Sequence, residues 1–257
     1  GLPEENYDSF RKTFNDVFEM RPEELQLGFL KMLRGTGLRS QAKQWNYEYM
    51  DQAPYEIVSN NVMPFTDIIR IKQVEDVLEK YWNDHRMDHG VEYLVSMVYP
   101  SPFDFFQEFG SYWEDKNWSR IGHQPEDLFK RLVEFNQQAY PENQDMLVSL
   151  LKVDYLENLS FKPRKPWWDT TMTKQEKSPY YQAAIHEPER ISADFASLKL
   201  NEKDMYKHVL IEEIDIDYSH YQQTGEYRSK KNLVLAYFNP KEGCSKLFFT
   251  EPETLLS

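Results

Sequence analysis

Between Phe65 and Leu159 the apolar residues recur every three to four positions, the spacing that gathers them on one face of a helix. Ile68, Ile71, Val74, Leu78 and Tyr81 make one stripe, and Val91, Leu94, Val95 and Val98 a second. Phe105, Phe106, Phe109, Tyr112 and Trp113 make a third, bounded by Pro102. Leu128, Leu132 and Phe135 follow Pro125, which suits a first helical position, and Met146, Leu147, Leu150 and Leu151 close the set. Five helices with short connections can bury such stripes only against one another. Residues 46–160 are therefore expected to form a helical accessory domain, with the stripes as its core.

The period changes on either side. Phe10, Phe14, Val17 and Phe18 predict a first helix, with Asn6 as a capping candidate and Pro22 as its stop. Leu25, Leu27 and Phe29 then alternate as in a strand, and Gly35 and Gly37 supply a turn. Residues 1–45 thus read as a terminal αβ unit whose preceding parallel strand is missing, and its open edge could pair with a second copy in a dimer. Residues 160–190 read as a long, polar, proline-containing connection. After it, "HVLIEEIDID", "NLVLAYFN" and "SKLFFTEP" predict three antiparallel strands, so 161–257 is expected as linker plus β-rich segment. The fold class is α+β, mainly α-helical.

Composition narrows the function classes. Hydrophobic residues make up 40% and aromatics 15%, enough for a packed core. The net charge of −13 repels phosphate backbones, so nucleic acid is not an expected partner. The nearest exception is "FKPRKPWW", where Lys162, Arg164 and Lys165 flank Trp167 and Trp168; it reads as a solvated linker or a base-stacking patch. No apolar run approaches the roughly 18 residues that cross a bilayer, and no membrane partner is expected. Cys244 is the single cysteine, which excludes an internal disulfide and makes a reducing, cytoplasmic setting the default.

Motif chemistry is sparse. "NDHRMDHG" sets His85 and His89 four residues apart, beside Asp84 and Asp88. On a continuous helix two imidazoles at that spacing can hold a transition metal; equally, they can be histidines favoured by a helix C-terminus before Gly90. Arg86 stands where a zincin helix has Glu. Glu212, Glu213, Asp215 and Asp217 in "IEEIDID" put three carboxylates on one strand face, either as a hard-cation site or as an acidic edge against aggregation. Cys244 has no evident base, and there is no phosphate-cradling loop or serine elbow. No catalytic residue is assigned.

One ordered series of segments resembles a known family. "GLPEEN", a helix, "ELQLGFLKML" and "GTGL" are similar to the last part of a radical S-adenosylmethionine (SAM) barrel, where a "GLPGE"-type turn, a helix, the sixth strand and a "PGTPL"-type loop follow in that order. "APYEIVSNNVMPFTDIIRIKQVEDVLEKYWN" and "LLKVDYLENLSFKPRKPWW" resemble the C-terminal extension of bacterial radical SAM proteins that carry an N-terminal cobalamin-binding domain. The likeness reaches about Trp168. It implies a parent enzyme with a 4Fe–4S cluster, SAM and cobalamin, acting as a methyltransferase or oxidoreductase. Leu27, Phe29 and Lys31 would then lie near the cofactor end of the sixth strand, and the upstream barrel and cobalamin-binding domain of the same polypeptide would be the partners. The sequence departs from that pattern at Glu4, where the turn usually has Gly, at Gly37, where Pro is usual, and in lacking the CxxxCxxC thiolates. The chain itself is thus expected to hold no cofactor and to be inactive alone. The alternative is a non-catalytic acidic helical module that binds a protein partner through an exposed "FDFFQEFGSYW" patch.

Overall fold

The computed structural model describes residues 1–239 and 241–257. In chain order the helices are α1 (Tyr7–Glu19), α2 (Gly37–Ser40), α3 (Phe65–Leu78), α4 (Asp88–Tyr93), α5 (Pro102–Asp115), α6 (Pro125–Ala139), α7 (Gln144–Glu157), α8 (Lys174–His186), α9 (Ala193–Ser197), α10 (Glu202–His208), α11 (Tyr218–Thr224) and α12 (Pro252–Leu256). The strands are β1 (Glu48–Tyr49), β2 (Ile57–Ser59), β3 (Val209–Asp215), β4 (Lys231–Asn239) and β5 (Cys244–Thr250). They form two antiparallel sheets, β1–β2 and β3–β4–β5, so the chain is α+β and mainly helical. The chain divides into two compact units, residues 1–85 with 94–122, and residues 86–93 with 123–257.

In the first unit, Asn6 caps α1 by accepting the Ser9 N–H at 2.9 Å, and the helix stops before Pro22 as its sequence requires. Glu4 adopts a left-handed φ of 67°, a conformation glycine takes without cost. The expected strand over residues 25–33 does not form. With no parallel neighbour for its backbone, the segment runs extended and makes one antiparallel bridge, Lys31 to Glu56; Met32 N–H donates to the Tyr55 carbonyl at 2.7 Å and Ile57 N–H to that of Leu30 at 3.0 Å.

Helices α1 and α5 and the π-helical turn Glu79–Asn83 that continues α3 meet around aromatic rings. Phe14 and Phe18 pack on Phe103 and Phe106, and Tyr81 on Phe109 and Trp113. Phe103, Phe105, Phe106, Phe109 and Trp113 are all buried, so "FDFFQEFGSYW" is core rather than an exposed patch. Gly110 is what lets α5 approach α3: a Cβ there would lie 2.6 Å from the Gln73 carbonyl oxygen. Backbone cannot yield as a side chain can. Gly110→Ala is therefore expected to lower the unfolding free energy by about 2 kcal/mol in urea titration, overpacking outweighing the gain in helix propensity; an unchanged midpoint would show that the helices can part.

In the second unit, β4 is the central strand and is buried on both faces, which explains the near-continuous apolar run "NLVLAYF". Leu233 and Leu235 pack with Tyr181 and Ala184 of α8, Phe195 of α9, Met205 of α10 and Leu255 of α12. Val234, Ala236 and Phe238, also buried, alternate to the other face, which α7 covers. The connection expected over 160–190 is instead a docked segment ending in α8. Thr173 and Glu176 close a capping box at its start, and the helix continues through Pro179. Trp167 stacks on Phe129 at 5.5 Å and Trp168 meets Tyr155 edge-on at 5.6 Å, so both indoles of "FKPRKPWW" are packed inward. Lys162 donates to the carbonyls of Tyr206 and Val209, which ties the basic segment down.

Candidate functional site

Asp154 and Glu157 lie three residues apart on α7 and so share one helical face. Asp154 is 2% exposed in a row of apolar residues. Its two carboxylate oxygens accept the backbone N–H groups of His89, at 3.0 Å, and Gly90, at 2.9 Å, which caps the first turn of α4. Gly90 makes this approach possible, because a Cβ on it would sit 2.4 Å from Leu151 Cδ2 and 3.4 Å from Asp154 Oδ2.

Held by its own backbone, His89 presents Nε2 to two partners. The Tyr218 hydroxyl lies 2.9 Å away and Glu157 Oε2 3.3 Å away. As N–H this nitrogen donates to Glu157; as a bare nitrogen it accepts from Tyr218. The Tyr218 and Tyr221 rings meet the imidazole edge-on at 5.6 and 5.8 Å, and Tyr218 is itself stacked on Phe249 of β5 at 4.2 Å. Asp217 fixes the start of α11, which carries both tyrosines, by accepting the His220 N–H at 3.2 Å.

Burial dominates the electrostatics. Desolvation pushes the Asp154 carboxyl up to about 7, against the pull of His89 and of the two backbone N–H donors. For His89, burial opposes the charged ring, but the bond to Glu157 and the fields of Asp154, Glu157 and Asp88 outweigh it and raise its pKa. Burial raises the Tyr218 phenol too, so it stays protonated and acts as a donor. One ligand atom each from His89, Asp154 and Glu157 lie within 4.8 Å of one another. The arrangement can store a proton near neutrality or hold a cation.

The residues singled out by sequence fall elsewhere or are regrouped. The helix is interrupted after the π-helical turn Glu79–Asn83, and His85 has φ of 50°, so His85 and His89 are not on one continuous helical face. The His85 ring lies 2.7 Å from the Glu23 carbonyl. Leu27 and Phe29 are half-buried against the cluster of Met32, Tyr47 and Ile57; Lys72 Nζ sits 4.2 Å over the Phe29 ring, and Lys31 is exposed. Leu27 also lines a cavity of about 250 Å³ with Leu25, Gln26, Glu75, Leu78 and Glu79.

The acidic strand is divided among separate partners. Glu213 faces Lys231 at 3.6 Å, Asp215 accepts from Ser229 at 2.9 Å, and Asp217 caps α11. Glu212 is buried against Lys177. A second cavity of about 280 Å³ is lined by Lys130, Val133, Val148, Lys152, Trp167 and Trp168, among others. Of the His89 cluster the sequence signals His89 itself, in the pair with His85, and Asp154, a carboxylate inside an apolar helical run; Glu157 and Tyr218 carry no signal.

The model of a family described as a protein of unknown function, DUF4080, matches residues 43–236. The chain belongs to that family. A comparison with curated proteins gives no match. No helix among the described residues is long and apolar enough to cross a membrane.

Proposed function

We propose that this chain is the C-terminal accessory region of a cobalamin-associated radical SAM enzyme, a methyltransferase or oxidoreductase, and performs no catalysis by itself. The observation that carries this reading is an order. The segments resembling the end of a barrel occupy residues 1–40, immediately before the family-matched stretch that begins at residue 43. In support, Glu4 takes the left-handed conformation at the position where the family's turn has glycine.

Three thiolates are needed to hold a 4Fe–4S cluster on which SAM is reductively cleaved, and this chain has one cysteine, exposed Cys244. The residues present do not fit the cluster, so cluster, SAM and cobalamin belong to the upstream barrel and cobalamin-binding domain of the same polypeptide. The role left to this chain is to cover the barrel or to shape its substrate entrance.

The test is expression with the coding sequence that precedes Gly1, under anaerobic conditions. The longer polypeptide is expected to carry iron and sulfide and to cleave SAM when reduced, whereas residues 1–257 alone do neither. A preceding reading frame without a CxxxCxxC loop overturns the proposal.

A further inference from the structure

We infer that His89, Glu157 and Asp154 form a site for a divalent transition ion of the zinc type, with Tyr218 as its outer hydrogen-bond partner. This inference does not depend on the radical SAM reading.

The first support is spacing. Ligands about 2.0–2.2 Å from a tetrahedral ion lie about 3.3–3.5 Å from one another. His89 Nε2 and Glu157 Oε2 are 3.3 Å apart, long for a charge-assisted hydrogen bond and right for two neighbouring ligands. The second is the donor set, one imidazole nitrogen and two carboxylates on different elements, with ligand atoms all within 4.8 Å. The third is charge. Neither Asp154 nor Glu157 pairs with a Lys or Arg among the described residues, so the carboxylates face one imidazole as their counter-charge. The fourth is the surrounding frame. Asp154 is held by two backbone N–H groups and retains a further lone pair on each oxygen, and Tyr218 is fixed by stacking on Phe249. Once Nε2 binds an ion, the Tyr218 hydroxyl has the Glu157 carboxylate to donate to, the arrangement by which outer partners orient ligating groups. Three protein ligands leave a fourth position for water.

Untagged protein is stripped with a chelator, returned to neutral buffer and titrated with Co²⁺ followed by optical absorption, then with Zn²⁺ in competition. One equivalent of Co²⁺ per chain is expected, giving the ligand-field bands of a four- or five-coordinate site, and displaced by Zn²⁺. Glu157→Gln, at a position where the side chain is 42% exposed, is expected to weaken binding more than about 100-fold, and Tyr218→Phe about 10- to 100-fold. His85→Ala should leave affinity unchanged. Absence of stoichiometric binding to the folded wild type overturns the inference, as does binding that Glu157→Gln leaves intact.

Discussion

Lys177→Met is expected to lower the unfolding free energy by about 3 kcal/mol, measured by urea denaturation at neutral pH. Glu212 is 1% exposed and its Lys177 partner 12%, so the pair is out of water on both sides. One oxygen, Oε2, has no hydrogen-bond partner among the described residues. Removing the ammonium strands a carboxylate in the wall of the sheet. Lys152 softens the loss: it lies close enough to feel the charge of Glu212, although burial lowers its own pKa and its Nζ donates to the Glu213 carbonyl at 2.8 Å. The informative comparison is Lys177→Met with Glu212→Met. Because a buried ion pair recovers little more than its own desolvation, the double variant should return to within about 1 kcal/mol of wild type. Single and double variants that lose the same amount would mean that Lys177 acts through its packing and not its charge.

That pair also marks the limit of what the residues disclosed. The helical stripes at Ile68–Tyr81, Phe105–Trp113 and Leu128–Phe135 reappear as α3, α5 and α6, because a helix that must bury one face repeats its apolar residues at 3.6. The three β segments reappear in the antiparallel order β3–β4–β5, since alternation and short turns leave little other choice. Where partners lie far apart in sequence, local patterns were silent. Residues 25–33 alternate as a strand should, yet a strand needs a neighbour, and these residues find only the bridge to Glu56. Residues 160–190 look polar, but Trp167 and Trp168 are drawn inward by Phe129 and Tyr155.

The candidate site shows the same boundary more sharply. His89 was visible as half of an i, i+4 pair, which presumed a continuous helix. The left-handed residue at His85 breaks it, and the partners of His89 come from positions 154, 157 and 218 instead. Asp154 could be noticed as a charge in an apolar run, and a buried charge has to be partnered. Which groups partner it is a property of the fold.

In the presence of chelator, the stability of the wild type relative to Asp154→Asn is expected to fall as pH rises from about 4 to about 7. Folding raises the Asp154 carboxyl from 3.8 to about 7, chiefly by desolvation. Over that interval the native chain holds a proton that the unfolded chain has released, so ν_N exceeds ν_U and stability declines with rising pH. His89 acts in the same direction: its pKa is also raised on folding, so its contribution is complete below its unfolded value and is lost as pH passes the folded one. The two groups titrate as a coupled pair, and the window belongs to the pair. For Asp154 alone the displacement is worth up to about 4 kcal/mol, enough to move a melting temperature by several degrees in a chain of this size. Other carboxylates, such as Glu114 and Glu176 with their lowered pKa values, pull the opposite way in both proteins and cancel in the difference. Parallel melting curves for wild type and Asp154→Asn across that range would mean that the buried carboxyl keeps its charge throughout, held by the two N–H groups at the start of α4.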